Sequence, residues 1–245
     1  MEQGSLIVGR TESSARVSFD GTSLRISSEG IFACGLEWNR TQVARLSVQF
    51  ADGVKEVRAI SPIARTYSVE RVNGLPPNTV TPPPEILERI RHENELVQAA
   101  RQKDSDAIWF AESFDWPAPG IMSGTFGSQR IDNGTPMAPH MGVDMANSEG
   151  TPIRAPADAT ISISDDYYLA GGFSLLDHGH GVSTSYLHQS ERMVRAGDIV
   201  RRGQVIGLMG KTGRATGPHL HWAMNWFQVK LDPSRSTRTP APPRV

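Results

Sequence analysis

Residues 212–221 have the sequence Thr-Gly-Arg-Ala-Thr-Gly-Pro-His-Leu-His. The stretch ends on two histidines, His219 and His221, that are separated by a single residue. In a strand, side chains two positions apart leave the same face of the sheet. If these residues form a strand, both imidazoles can therefore reach one common site on that face.

The sequence around this stretch is typical of β structure. From Trp116 onward glycines are frequent, and short apolar alternations recur, as in residues 160–164 and 182–187. Short strands joined by glycine-containing turns predict a β-sandwich or barrel-like domain. We therefore expect a mainly β fold.

The whole chain divides into four segments by composition. Residues 1–72 alternate apolar and polar positions between turn pairs such as Asp20-Gly21, which predicts a small N-terminal β domain. Residues 73–115 hold a Pro-rich linker, predicted to be stiff and extended, and then an amphipathic helix from Glu85 to about Lys103. Residues 116–233 form the second β domain. Residues 234–245 have almost nothing to bury and are predicted to be a mobile tail.

Composition excludes several classes of protein. The 245 residues carry 25 Lys and Arg against 26 Asp and Glu, so no global basic field exists to hold nucleic acid. The longest uncharged stretches are about 14 residues, short of the roughly 18 needed for a transmembrane segment. The single cysteine, Cys34, excludes an intramolecular disulfide and is predicted to be buried in a strand.

Histidines cluster in the second half of the chain. His140 and Asp144 are four residues apart and share a face in either a strand or a helix, and the neighbouring Pro139 and Gly142 disfavour the helix. Neither this pair nor the His-x-His pair is specific alone, and histidines that are merely exposed or hydrogen-bonded remain the alternative. Six of the seven histidines lie in the last 106 residues, namely His140, His178, His180, His188, His219 and His221.

Two histidines, one aspartate and a free fourth position are typical of a catalytic zinc site, whereas closed structural sites use four protein ligands. Zinc lowers the pKa of water to about 7 in favourable sites, and a neutral imidazole nearby can take the proton. The residue types therefore suit metal-assisted hydrolysis.

Four motifs in order resemble the M23 (LytM or lysostaphin-type) zinc metallopeptidases, over about residues 123–233. The resemblance implies one Zn²⁺ ion held by His140, Asp144 and His221, with His188 and His219 as the catalytic histidines. It also implies a compact antiparallel β peptidase domain with a groove, of the duplicated-hybrid-motif type, over residues 116–233. The motifs are PHMGVD (139–144), GTPIRAP (150–156), YLH (186–188) and TGRATGPHLH (212–221).

The resemblance also implies a substrate and a location. Members of the family cut peptide bonds in peptidoglycan, and residues 67–71 and 73–77 are similar to the N-terminal extension of Gram-negative envelope members. We therefore expect a periplasmic or secreted endopeptidase that acts on the D-Ala to meso-diaminopimelate cross-link. Residues 1–10 lack the basic n-region of a signal peptide, so the signal would be absent from this sequence.

Two other functions compete with this one. The first is a non-catalytic LytM-type activator of cell-wall amidases, although such proteins typically lack a metal ligand and this chain lacks none. The second is a phosphoryl carrier on a similar β fold, which would not require Asp144. Peptidoglycan peptide stems are the expected partner, and a regulatory protein is left open.

Other polar residues receive smaller roles. His178 is expected to make a structural hydrogen bond, His180 to be a solvated turn residue and His92 to be exposed. Arg130 either positions substrate carboxylates or is a surface arginine. Residues 131–139 contain no tyrosine, although some lysostaphin-type members bring one from this loop.

Overall fold

The structure is a computed structural model that describes residues 1–244, and it is mainly β, as the sequence predicts. Strands account for 42% of it and helices for 11%. Among the residues described, no helix is both long and apolar enough to cross a membrane.

Seven strands precede the first helix. β2, β3, β5 and β6 form an antiparallel sheet in the order β3-β2-β5-β6, and β1 pairs with β4. Asp20 and Gly21, with φ of 49° and 83°, make the tight turn between β2 and β3 that two-residue hairpins require. Cys34 is buried in β4, as predicted. The strands are β1 (Leu6–Arg10), β2 (Arg16–Phe19), β3 (Thr22–Leu24), β4 (Ile31–Gly35), β5 (Ala44–Gln49), β6 (Lys55–Ile60) and β7 (Val69–Val72).

Two helices follow in the Pro-rich region. The prediction of a fully extended linker is wrong at α1 (Pro77–Val80), a single helical turn. Pro77 occupies the start of that turn, where its missing N–H is not needed and its fixed φ suits a helix. The predicted amphipathic helix is α2 (Pro84–Arg101), which begins where the prolines end. Val97 and Ala100 pack against a small buried cluster of Tyr167, Phe173 and Leu175. The side chains of Leu87 and Leu96 are exposed.

Ten of the remaining twelve strands build one sheet, and the other two, β9 and β10, form a three-stranded sheet with β7. The main path of the ten-stranded sheet is β16-β13-β14-β15-β18-β11-β8, with β17 pairing with β15 and β12, and β19 pairing with β18. The strands are β8 (Ile121–Gly124), β9 (Gln129–Asp132), β10 (Thr135–Pro136), β11 (Val143–Ala146), β12 (Pro152–Arg154), β13 (Ala159–Tyr167), β14 (Gly171–Gly179), β15 (Val182–Arg192), β16 (Ile199–Val200), β17 (Val205–Met209), β18 (His219–Trp226) and β19 (Val229–Leu231).

The N-terminal strands and the large sheet share one hydrophobic core. Phe19 of β2 meets Trp226 of β18 edge-on, with ring centroids 6.2 Å apart. Cys34 and Leu36 lie in the same buried cluster as Tyr186 and Trp222. β7 also leaves the N-terminal strands and runs parallel to β9. The segment 1–72 is therefore packed directly on the rest of the chain, and its independence as a domain stays a prediction.

The segment predicted to be a mobile tail is held to the sheet, which corrects that expectation. The backbone N–H of Phe114 donates to the carbonyl of Ser236 at 2.8 Å, and that of Met122 donates to the carbonyl of Pro243 at 2.8 Å. Trp116 donates its indole N–H to the carbonyl of Pro240 at 3.1 Å. A segment with little to bury is thus fixed by main-chain hydrogen bonds, which composition does not reveal.

Two histidines outside the candidate site are buried. His178 makes the predicted structural hydrogen bonds, from Nδ1 to the carbonyl of Asp158 (2.9 Å) and between Nε2 and Oγ1 of Thr184 (2.8 Å). His180 was expected in solvent, but it is 2% exposed because it packs against the ring of Phe110, with centroids 5.0 Å apart.

We predict that His178 makes stability depend on pH. Burial lowers the pKa of His178 from 6.5 to about 4. As pH falls below about 6.5 the unfolded chain therefore binds this proton first, and stability is lost between pH 6.5 and 4 at about 1.4 kcal/mol per pH unit. The free energy of unfolding, measured in urea at several pH values, should change less steeply with pH in His178→Gln, by this amount. The exposed control His92→Gln should keep the wild-type slope. Equal slopes in both variants would contradict the prediction.

Candidate functional site

The large sheet brings the predicted site residues to one face. In the β11–β18 ladder Asp144 lies directly opposite His221, and Ala146 lies opposite His219. β15 runs along the other side of β18, with Leu187 opposite His221. His140 precedes β11 and reaches the same place from the loop. The His-x-His spacing works as predicted because β18 is a strand and both rings leave the same face.

Three side chains converge on one point. Nε2 of His140 lies 2.8 Å from Nδ1 of His221 and 3.0 Å from Oδ1 of Asp144, and the last two atoms are 2.9 Å apart. His140 and Asp144 are each 5% exposed. The predicted ligand set is thus a compact triad of two imidazole nitrogens and one carboxylate oxygen.

The other two histidines lie beside the triad. The rings of His188 and His219 have centroids 4.6 Å apart, and the ring of His188 is 6.4 Å from that of His221. His188 adopts a φ of 66°, a left-handed conformation that non-glycine residues adopt at a cost of order 1 kcal/mol. The structure therefore brings all five predicted site residues together.

Backbone carbonyls fix the orientation of three of these rings. Nδ1 of His140 lies 3.1 Å from the carbonyl of Thr125, Nδ1 of His188 lies 2.8 Å from that of Thr212, and Nδ1 of His219 lies 2.9 Å from that of Gly217. A carbonyl only accepts, so each Nδ1 donates a proton and each Nε2 keeps its lone pair. His221 instead turns Nδ1 toward the triad.

Burial keeps the site in the protonation state that a metal needs. It lowers the pKa of His188 to about 3, assisted by the neighbouring His219 and His221. It lowers the pKa of His221 to about 4 in spite of the nearby carboxylate. Burial alone would raise the pKa of Asp144, but His140 and His221 hold it well below its usual range. At neutral pH His221 therefore offers a lone pair and Asp144 a negative charge.

The three ligand atoms of the triad fit a divalent metal ion. The three ligand atoms lie within 4.8 Å of one another. Two imidazole nitrogens and one carboxylate oxygen face each other at 2.8–3.0 Å, so three electron-rich atoms share one small space that a cation would stabilise. Imidazole and carboxylate ligands at about 2.0–2.2 Å are typical of zinc.

Sequence reasoning did not find the support behind Asp144. Arg130 contacts Oδ2 of this carboxylate through Nη2, and its Nε lies 3.8 Å from Glu70. Glu70 also accepts hydrogen bonds from the backbone and hydroxyl of Thr125, at 3.0 and 3.1 Å. Since Glu70 and Arg130 face each other only through the β7–β9 pairing, no local signal in the sequence could have joined them.

Two glycines leave room for the triad. A Cβ at Gly142 would lie 2.6 Å from Nε2 of His221 and 2.7 Å from the carbonyl oxygen of Trp222. A Cβ at Gly124 would lie 2.4 Å from Oδ2 of Asp144. Both positions therefore need glycine for close packing against the ligands.

We expect Gly142→Ala to weaken metal binding by about 10- to 100-fold, the usual effect of disturbing the support of a ligand. The added methyl group must displace the ring of His221, because the strand carbonyl behind it cannot move aside. Zinc affinity measured against a competing chelator checks this. Gly217→Ala is the control, since its Cβ meets nothing within 4 Å. Equal affinities in the two variants would contradict the prediction.

The triad opens into a groove of about 450 Å³. Strands β15 and β18 supply its floor, and the C-terminal half of α2 forms one wall through Asn94, Val97 and Arg101. Tyr167 is 8% exposed and stacks on Phe173 with ring centroids 5.0 Å apart, and both rings line the groove.

A buried His, Asp, His triad beside two further histidines, at a groove of an antiparallel sheet, is a candidate metal centre. Residues 138–233 match the model of Peptidase family M23, which confirms the predicted resemblance to that family. All four motifs of the sequence analysis lie within the matched residues.

Curated relatives match the same region. The chain is 43% identical over 88 residues to the peptidoglycan DD-endopeptidase ShyA of Vibrio cholerae, which covers 36% of this chain and 20% of that protein. It is 45% identical over 83 residues to the DD-carboxypeptidase/endopeptidase Mpg of Neisseria meningitidis serogroup B, covering 34% of this chain and 19% of that protein. The chain therefore spans about a fifth of the length of these relatives.

One solved structure resembles nearly the whole chain. A crystal structure from Pseudomonas aeruginosa, described as a peptidase of family M23, superposes with a TM-score of 0.73 at 29% sequence identity. The similarity covers 95% of this chain and 93% of that one. It therefore includes the N-terminal strands and helices that lie outside the family match.

Proposed function

We propose that this protein is a zinc-dependent endopeptidase that cleaves the peptide cross-links of peptidoglycan, at the bond between D-Ala and meso-diaminopimelate. One observation carries the proposal: a complete triad and two further histidines lie together, and three of these residues, His140, His188 and His221, line one open groove. The name of the relative ShyA supports peptidoglycan as the substrate class, and the names of ShyA and Mpg both support endopeptidase activity. Such an enzyme works outside the cytoplasm, in the periplasm of a Gram-negative cell.

The residues divide the work between them. His140, Asp144 and His221 hold the metal ion, and Arg130 keeps the carboxylate in place. Lewis acidity toward a peptide carbonyl and toward water is the chemistry that zinc supplies in such a site. Because a metal polarises a carbonyl without a side-chain pocket, the groove accepts D-residues as well as L-residues.

His188 and His219 carry the proton transfers. Each ring presents an Nε2 lone pair, because its Nδ1 is held by a carbonyl. One ring takes a proton from the attacking water and returns it to the leaving amine. The other, when protonated, donates a hydrogen bond to the oxyanion of the tetrahedral intermediate.

Digestion of purified, cross-linked Gram-negative peptidoglycan tests the proposal. We expect the protein to convert cross-linked dimers to monomers, with cleavage abolished by a chelator and restored by zinc. Mass spectrometry of the products identifies the bond that is cut. Bound zinc without any cleavage would contradict the proposal, and so would cleavage that a chelator does not affect.

A further inference from the structure

The groove carries an unusual excess of positive charge. Four cationic side chains line it, and no aspartate or glutamate is among the lining residues described. The histidines that line the groove cannot balance these positive charges either. The four cations are Arg101, Arg130, Arg214 and Lys230.

Two of the four cations already have protein partners. Arg130 pairs with Asp144 and Glu70, and Arg214 lies 4.0 Å from Asp132. Arg101 and Lys230 have no such carboxylate partners among the residues described. Within residues 1–244 neither of them has a carboxylate within 4.0 Å, and Arg101 makes a side-chain hydrogen bond only to the hydroxyl of Ser185, at 3.1 Å. The Nε atom of Arg101 is buried without a partner among these residues.

Strand register places this cation pair on the face that carries the triad. Ser185 lies opposite Ala223 in the β15–β18 ladder, and Lys230 lies opposite Asn225 in the β18–β19 ladder. His221, Ala223 and Asn225 alternate along β18 and share one face. At about 3.3 Å per residue the pair lies about 7 to 13 Å along the strand from His221. That span equals about two to four residues of an extended peptide.

Both side chains are partly buried, which makes their positive charges costly without a counter-ion. Burial, together with the charge of Arg101, lowers the pKa of Lys230 to about 7, and burial lowers the pKa of Arg101 to about 10. An anion bound beside both groups would relieve this cost and favour the charged form of Lys230. On the same face, Asn225 is 1% exposed and has no side-chain hydrogen-bond partner among the residues described.

We propose that Arg101 and Lys230 form a subsite that binds a free carboxylate of the peptide substrate. The choice of a stem peptide as its source rests on the proposed function. Peptide stems of peptidoglycan carry several carboxylates, and a guanidinium beside an ammonium matches one of them. Helix α2 therefore does more than link two parts of the chain: it supplies a specificity-determining residue.

A panel of soluble cross-linked muropeptide dimers tests the subsite. In each dimer one carboxylate is converted to a carboxamide, and kcat/KM is compared with that of the free acid. We expect one amidation to lower kcat/KM by about 10- to 100-fold, the range for a hydrogen bond to a charged group. In the double variant Arg101→Gln with Lys230→Gln, the acid and the amide should be cleaved at similar rates.

Two variants control for the change of charge and for folding. Arg91→Gln removes a cation from the same helix, but this residue is exposed and paired with Glu88 and Glu95, so the acid preference should be unchanged. Arg101→Lys keeps the positive charge and should keep most of the preference. Thermal unfolding followed by circular dichroism shows that each variant is folded, and Lys230→Met alone replaces the double variant if that one unfolds.

A binding measurement separates this proposal from the proposed function. The dissociation constants of a stem tetrapeptide and of its carboxamides, measured by calorimetry, need no catalysis. If no dimer is cleaved but the acid binds more tightly than one amide, the endopeptidase proposal fails and the subsite stands. If wild type binds or cleaves the acid and every amide equally, the subsite is overturned. An acid preference that survives in the double variant overturns it too.

Discussion

Replacing His140, Asp144 or His221 by alanine is expected to remove bound metal and hydrolytic activity together. Each residue contributes one of three atoms that converge within 4.8 Å, so two ligands remain after any substitution. Metal polarisation is worth several kcal/mol of transition-state stabilisation, which corresponds to a loss of more than about 1,000-fold in rate. Metal content by mass spectrometry and cleavage of cross-linked muropeptides check both halves of the prediction.

An exposed histidine provides the matched control for these variants. His92→Ala, on the outer face of α2, should keep one metal ion per chain and full activity. Full activity in any of the three triad variants would contradict the metal-dependent mechanism. Retained metal with lost activity in all three would move these residues from the ligand set to another role.

Replacing His188 or His219 by glutamine is expected to spare the metal and lower kcat by about 100-fold or more. Neither ring contributes one of the three ligand atoms of the triad, yet both rings lie beside the triad. Acid-base and oxyanion contributions are each typically worth about that factor. Single-turnover cleavage of a soluble dimer, with metal content measured on the same sample, checks the prediction.

The pH dependence of kcat separates the two histidines. The ring that acts as base should, when replaced, abolish the acidic limb of the profile, whereas loss of the oxyanion donor should lower the rate without removing that limb. Loss of metal in either variant would place that histidine among the ligands. An unchanged kcat in both variants would show that neither histidine takes part in the proton transfers.

Much of the fold and site could be predicted because the signals are local. The alternation of β18 and the His-x-His spacing need only a few neighbouring residues, and so does the start of α2 after its prolines. The support of Asp144 could not be predicted, because Glu70 and Arg130 lie sixty residues apart and meet only through the β7–β9 pairing. The burial of His180 and the hydrogen bonds of the tail also depend on distant partners.

The parallel pairing of β7 with β9 limits where the chain can be truncated to obtain residues 116–233 alone. A fragment that begins near residue 116 would lack the strand that edges the β10-β9-β7 sheet, and Arg130 would lose Glu70. The guanidinium would then be anchored only by the ligand carboxylate that it is meant to steady. Cloning boundaries, proteolytic trimming and domain shuffling that remove β7 from this protein therefore disturb the candidate metal site, even though they fall far from it in the chain.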